Sequence, residues 1–137
     1  MKKILLVEDH HRYGNSIESA LRWFNYDVRW ETRGFHLIPK ALDFKPDLII
    51  LDVFFNLTDN ANGEDVAAEI RANPSLQNIP IIVLTAYMTD DDIRNANNHY
   101  QGAQKHYFPK TENPYVILEK IKEFVEMEHF LVTPDLP

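Results

Sequence analysis

Three runs without a single polar residue, "ILLV" at 4–7, "LIIL" at 48–51 and "IIVL" at 81–84, constrain this chain more than any other feature. An unbroken apolar run is what a strand needs when both of its faces are buried. Each run also stops abruptly on polar groups: Glu8 and Asp9, then Asp52, then Thr85. Two further strand-like segments differ in kind, because "VRWET" alternates and "HYF" is brief. The strands predicted are Lys3 to Val7, Asp27 to Thr32, Asp47 to Val53, Pro80 to Thr85 and Lys105 to Phe108.

Helical patterns fill the intervals. "HRYGNSIESALRWF" brings Ile17, Leu21 and Phe24 to one face, and "GEDVAAEIRA" does the same with Val66 and Ile70. A segment of about Phe35 to Phe44 is interrupted by Pro39, which weakens it as a helix. Thr89 and Asp92 open a polar fourth helix with capping-box spacing, and Asp90 to Asp92 suit the dipole at its start. Asn113 followed by Pro114 starts a fifth, whose inward stripe is Ile117, Leu118, Ile121, Phe124 and Val125.

Strand alternating with helix predicts an α/β fold, a doubly wound (βα)5 unit whose five-stranded parallel sheet is covered on both faces. The three unbroken runs belong inside and the other two strands at the edges, which matches the order 2-1-3-4-5. In such a sheet the ligand crevice opens beyond the carboxyl ends of the strands. Glu8, Asp9, Asp52, Thr85 and Lys110 all fall at those ends, and their joint placement is the most specific signal in the chain.

Composition narrows the classes. At 137 residues and 45% hydrophobic content the chain suits one domain, expected over residues 1–130 with 131–137 as an irregular tail. There is no cysteine, which removes disulfides and thiolate metal sites and fits a cytoplasmic location. The apolar run after Lys2 and Lys3 is shorter than the core of about 7–15 residues that a signal peptide needs. No run approaches the roughly 18 that span a bilayer, so no membrane role is expected. Twenty-one acids against fourteen bases give a net charge of −7, without a basic cluster, which disfavours direct nucleic-acid binding. Four glycines form neither a Walker loop nor a dinucleotide turn.

Carboxylates gathered at one crevice cannot all stay charged unaided, since a like-charged pair at ~4 Å costs about 4 kcal/mol at an effective dielectric of ~20. A proton or a cation must intervene. Oxygen-only ligands favour a hard divalent ion, and Mg²⁺ leaves room in its shell for phosphate oxygens. A carboxylate beside such an ion can attack phosphorus and become an acyl phosphate. Lys110 and the Thr85 hydroxyl are donors of the type that phosphoryl oxygens require.

With "LLVEDH", "LIILDV", "IIVLTA" and "YFPK" in these places, the chain resembles a bacterial response-regulator receiver domain of the stand-alone, chemotaxis-regulator-like kind, with a flavodoxin-like fold, over about residues 2 to 126. The resemblance implies that Asp52 is the phosphoacceptor, and that Glu8, Asp9, Asp52 and the backbone carbonyl of Phe54 hold Mg²⁺. It implies that Thr85 and Lys110 grip the phosphoryl group, and that Tyr107 swings inward when Thr85 is drawn to it. The message would pass to the surface formed by the fourth helix, fifth strand and fifth helix, a face that would also serve a homodimer. A histidine kinase or phosphotransfer protein would be the donor and a separate protein the target. The expected role is a switch rather than an enzyme.

Several features depart from the family pattern. The loop "VFFNLTDNANG" is long, Thr111 follows Lys110 where proline is usual, and one extra residue lies between the "GA" at 102 and Lys110. Phe54 and Tyr87, two places beyond Asp52 and Thr85, are expected to shield an adduct and slow its hydrolysis. His10 and His11 follow the acidic pair, but as the start of a helix rather than a transition-metal site. Met127, Phe130 and Leu131 extend the last apolar stripe, and with only "LVTPDLP" after it the message is expected to travel by contact. Two rival functions remain. A phosphohydrolase would carry a second aspartate where Phe54 stands, and an inert interaction module would lack one of the key groups.

Overall fold

A computed structural model describes residues 1–32, 37–52, 63–85, 91, 94, 105–110, 113–119 and 121–123, with side chains for all of these but 52, 63–67, 85, 105 and 106. The elements are β1 (Lys3–Val7), α1 (His11–Trp23), β2 (Asp27–Glu31), α2 (Leu37–Phe44), β3 (Leu48–Asp52), α3 (Gly63–Ala72), β4 (Ile81–Thr85) and β5 (Lys105–Pro109). Residues 114–119 and 121–123 are helical, as are 91 and 94. The rest of the expected fourth helix, the 53–62 loop and everything beyond 123 lie outside the described residues.

The sheet runs β2-β1-β3-β4-β5 with every neighbouring pair parallel, as the apolar runs predict. Successive side chains in a strand point to opposite faces. Leu5, Val7, Ile49, Leu51, Ile81, Val83 and Tyr107 therefore join Leu37, Ala41 and Phe44 of α2 and Ile70 of α3 in one core. Ile4, Leu6, Leu48, Ile50, Ile82 and Leu84 meet Ile17, Ala20 and Leu21 of α1 and the C-terminal helical residues Ile117, Leu118 and Ile121 in the other. A polar residue anywhere in the three inner runs would enter one core or the other, which is why those runs are unbroken.

Strand ends differ from expectation by a residue, for local reasons. Asp47 lies outside β3, where its carboxylate accepts from the Lys3 backbone N–H at 2.8 Å. Pro80, which has no N–H, precedes β4 and accepts from the Ile49 N–H at 3.0 Å instead. Pro109 closes β5 at the sheet edge, where a missing donor is tolerated.

Pro39 does not end α2, which runs through it from its first described residue, Leu37, to Phe44. α1 ends with Asn25 at φ 68°, a left-handed cap, while the Asn25 N–H donates to Arg22 O at 3.0 Å and the Tyr26 N–H to Leu21 O at 3.1 Å. Asn113 caps the C-terminal helical segment, its Oδ1 accepting from the Tyr115 N–H at 3.0 Å, with Pro114 in the first helical position as expected.

Candidate functional site

Parallel register brings the polar strand ends together. Val7 pairs with both Glu31 and Leu51, Asp52 with Leu84, and Thr85 with Pro109. Glu8 and Asp52, each one residue beyond the Val7–Leu51 pair, thus end neighbouring strands about 4.8 Å apart. Thr85 ends the next strand and Lys110 follows the last. The backbone places these residues on one edge. The side chains of Asp52 and Thr85, and the whole of Phe54 and Tyr87, lie outside the described residues.

Glu8 is the one charged residue in the buried class among the described residues, at 2% exposure. Burying a carboxylate requires a cation or donors, and the Lys110 ammonium meets it, Nζ to Oε1, at 2.6 Å. The lysine side chain is itself only 16% exposed. Asp9 adds a second acid immediately beyond, and Glu8 Oε2 and Asp9 Oδ1 are both shut off from solvent. The register between β4 and β5 has no offset through 105–109, so the extra residue upstream leaves Lys110 at the crevice.

The first turn of α1 forms the adjoining wall. His10 is the N-cap, with Nδ1 accepting from the Tyr13 N–H at 3.1 Å, which requires that nitrogen to be unprotonated. His10 and His11 thus begin the helix, as expected, and no cluster of three or more metal-ligating side chains occurs among the described residues. Trp30, on the edge strand β2, donates from Nε1 to the Glu8 carbonyl oxygen at 2.8 Å. Its ring fills the space over Gly14, where an added Cβ would lie 2.2 Å from Trp30 Cζ2. His11 meets the same ring edge-on at 6.0 Å between centroids. The Tyr13 ring lies under the Lys110 ammonium, 4.4 Å from Nζ to centroid. Sequence reasoning missed Tyr13, Trp30 and the capping role of His10; an aromatic four residues after Asp9 was the only available hint.

Tyr107 is buried, at 3% exposure, opposite Val83 and in the core shared with α2 and α3. It faces away from α1, so any movement of its ring would act on the other side of the sheet from Tyr13.

No described helix is long and apolar enough to cross a membrane. The chain is similar to the response regulator ArlR of Staphylococcus saprophyticus, at 42% identity over 86 residues, covering 63% of this chain and 36% of that protein. It is similar to the response regulator protein VraR of the same organism at 31% identity, covering 88% of this chain and 55% of that one. It therefore spans roughly half or less of these relatives' lengths. Among solved structures, the beryllofluoride-activated N-terminal receiver domain of Klebsiella pneumoniae RstA superposes with a TM-score of 0.71 at 28% identity, covering 90% of this chain and 97% of that one. The family model for the response regulator receiver domain matches residues 4–122, which takes in the strand-end Asp52, the buried Glu8 and the lysine that meets that glutamate, and the chain belongs to that family.

Proposed function

We propose that this protein is a phosphorylation-dependent switch in which Asp52 accepts a phosphoryl group from a phosphohistidine donor, a histidine kinase or phosphotransfer protein. The supporting observation is the 2.6 Å contact between Lys110 and the buried Glu8, made at the edge where Asp52 and Thr85 also end their strands. An Asp52 carboxylate oxygen would form a P–O bond as the donor's P–N bond breaks, with the electron pair and a proton going to the imidazole nitrogen.

Mg²⁺ fits the donor chemistry: Glu8 and Asp9 supply only oxygen, each has an oxygen closed to bulk water, and Asp52 is next to Glu8 by register. Glu8, Asp9, Asp52 and the Phe54 carbonyl would hold the ion, which would neutralise charge on the transferring oxygens. Lys110 and Thr85 would hold the phosphoryl group, and these contacts, made better in one conformation than the other, would shift the population. Tyr107 would couple that shift to a surface for a separate protein partner or a second copy, with residues 1–130 acting as the unit.

The test incubates the full chain with Mg²⁺ and phosphoramidate and follows intact mass. A lasting single-phosphoryl adduct that Asp52→Asn abolishes is the expected result. Rapid phosphate release without an adduct would indicate the phosphohydrolase, and no reaction the inert module.

A further inference from the structure

We propose that Tyr13 is a positioning residue for Lys110: its ring face and the Glu8 carboxylate form a two-sided seat that aims the ammonium into the crevice. The inference rests on the phosphoacceptor reading for its consequence, and on geometry for its existence.

Lys110 follows the last residue of β5, so backbone pairing no longer fixes its direction. Four side-chain torsions would leave a lysine there many places to go, and an ammonium is attracted to any nearby acid. Among the described residues two walls meet it. Glu8 Oε1 lies 2.6 Å from Nζ, and the Tyr13 ring centroid lies 4.4 Å away, well inside the distance of about 6 Å at which a cation and a ring face attract. At 16% exposure the lysine side chain is largely removed from water, which strengthens such contacts.

The ring is itself fixed from behind. His10 Nδ1 holds the Tyr13 backbone N–H at 3.1 Å, and the next residue, Gly14, is pressed against the Trp30 ring. Trp30 in turn holds the Glu8 carbonyl at 2.8 Å. The two walls of the seat are thus tied to one another through β2. The Tyr13 wall carries no formal charge for a metal ion to compete with, so it does not depend on how the Glu8 carboxylate is engaged.

The test compares the parent chain with Tyr13→Phe, which keeps the face, and Tyr13→Met and Tyr13→Leu, which keep bulk without it. Lysine-labelled protein gives the ammonium proton resonance of Lys110, assigned by its loss in Lys110→Arg. It is expected upfield, shifted by the ring, in the parent and Tyr13→Phe, and near the ordinary lysine position in the aliphatic variants. Phosphoramidate labelling of Asp52 is expected to slow about 3- to 30-fold in the aliphatic variants and to stay within about two-fold in Tyr13→Phe. Thermal unfolding identifies any variant that fails to fold, and the other aliphatic variant then decides. An unmoved resonance, an unslowed aliphatic variant, or a Tyr13→Phe as slow as Tyr13→Met would each overturn the proposal. Absence of labelling in the parent would instead sink the phosphoacceptor reading, and the resonance alone would decide the seat.

Discussion

The Lys110 ammonium is 2.6 Å from the Glu8 carboxylate, closing the circuit between the end of the last strand and the end of the first. Both groups are largely hidden from water, so neither is easily left alone. Removing one partner of a buried pair typically costs about 3–5 kcal/mol, whereas removing both together costs far less. Lys110→Met is therefore expected to destabilise the metal-free protein by about 3 kcal/mol or more, and the double variant with Glu8→Gln to recover most of that loss. Urea unfolding of the four proteins in a double-mutant cycle measures it; additive effects would show that the pair is not coupled.

If Glu8 and Asp9 hold a divalent cation, Mg²⁺ should stabilise the folded chain by mass action, by about 2.7 kcal/mol at a hundred times the dissociation constant. Asp9→Asn removes a formal charge from the site and is expected to weaken that response at least about ten-fold, as losses of ligands and their supports commonly do. Thermal melts over a Mg²⁺ titration provide the check, and an unchanged titration in Asp9→Asn would remove Asp9 from the ligand set.

Gly14→Ala sets two effects against each other. Alanine is the better helix former by about 1 kcal/mol, but its Cβ would arrive 2.2 Å from a Trp30 ring carbon. Overpacking of that kind costs about 1–3 kcal/mol, so net destabilisation is expected, with Trp30→Leu relieving it in the double variant. Denaturant midpoints decide the sign.

Lys45 follows α2 at φ 55°, a left-handed conformation that costs an ordinary residue about 1–2 kcal/mol and glycine nothing. Glycine also loses more freedom on folding, which offsets part of the difference. Lys45→Gly is expected to stabilise by about 0.5–1 kcal/mol, read as a raised melting temperature; a lowered one would mean that the lysine stem packs usefully over its neighbours.

The sheet was legible because Ile4 to Val7, Leu48 to Leu51 and Ile81 to Leu84 admit no polar face, and only a two-sided core explains them. Strand order followed from which runs were unbroken, and the crevice from the residues that ended them. Pro39 misled by type: a proline weakens a helix as a rule, yet α2 runs through it from Leu37 to Phe44. Histidine rarely caps a helix, so His10 gave no signal. The contacts of Trp30 with Gly14 and of Tyr13 with Lys110 join residues remote in sequence, and nothing in the local pattern of either partner encodes the other.

Of the protein's two tryptophans, Trp23 is 79% exposed, while the indole N–H of Trp30 is bonded to the residue that anchors the acidic edge. Replacing Trp23 by phenylalanine would leave a single tryptophan, wired to the crevice, so that loading and unloading of the site could be followed in real time through its selectively excited emission without any attached dye.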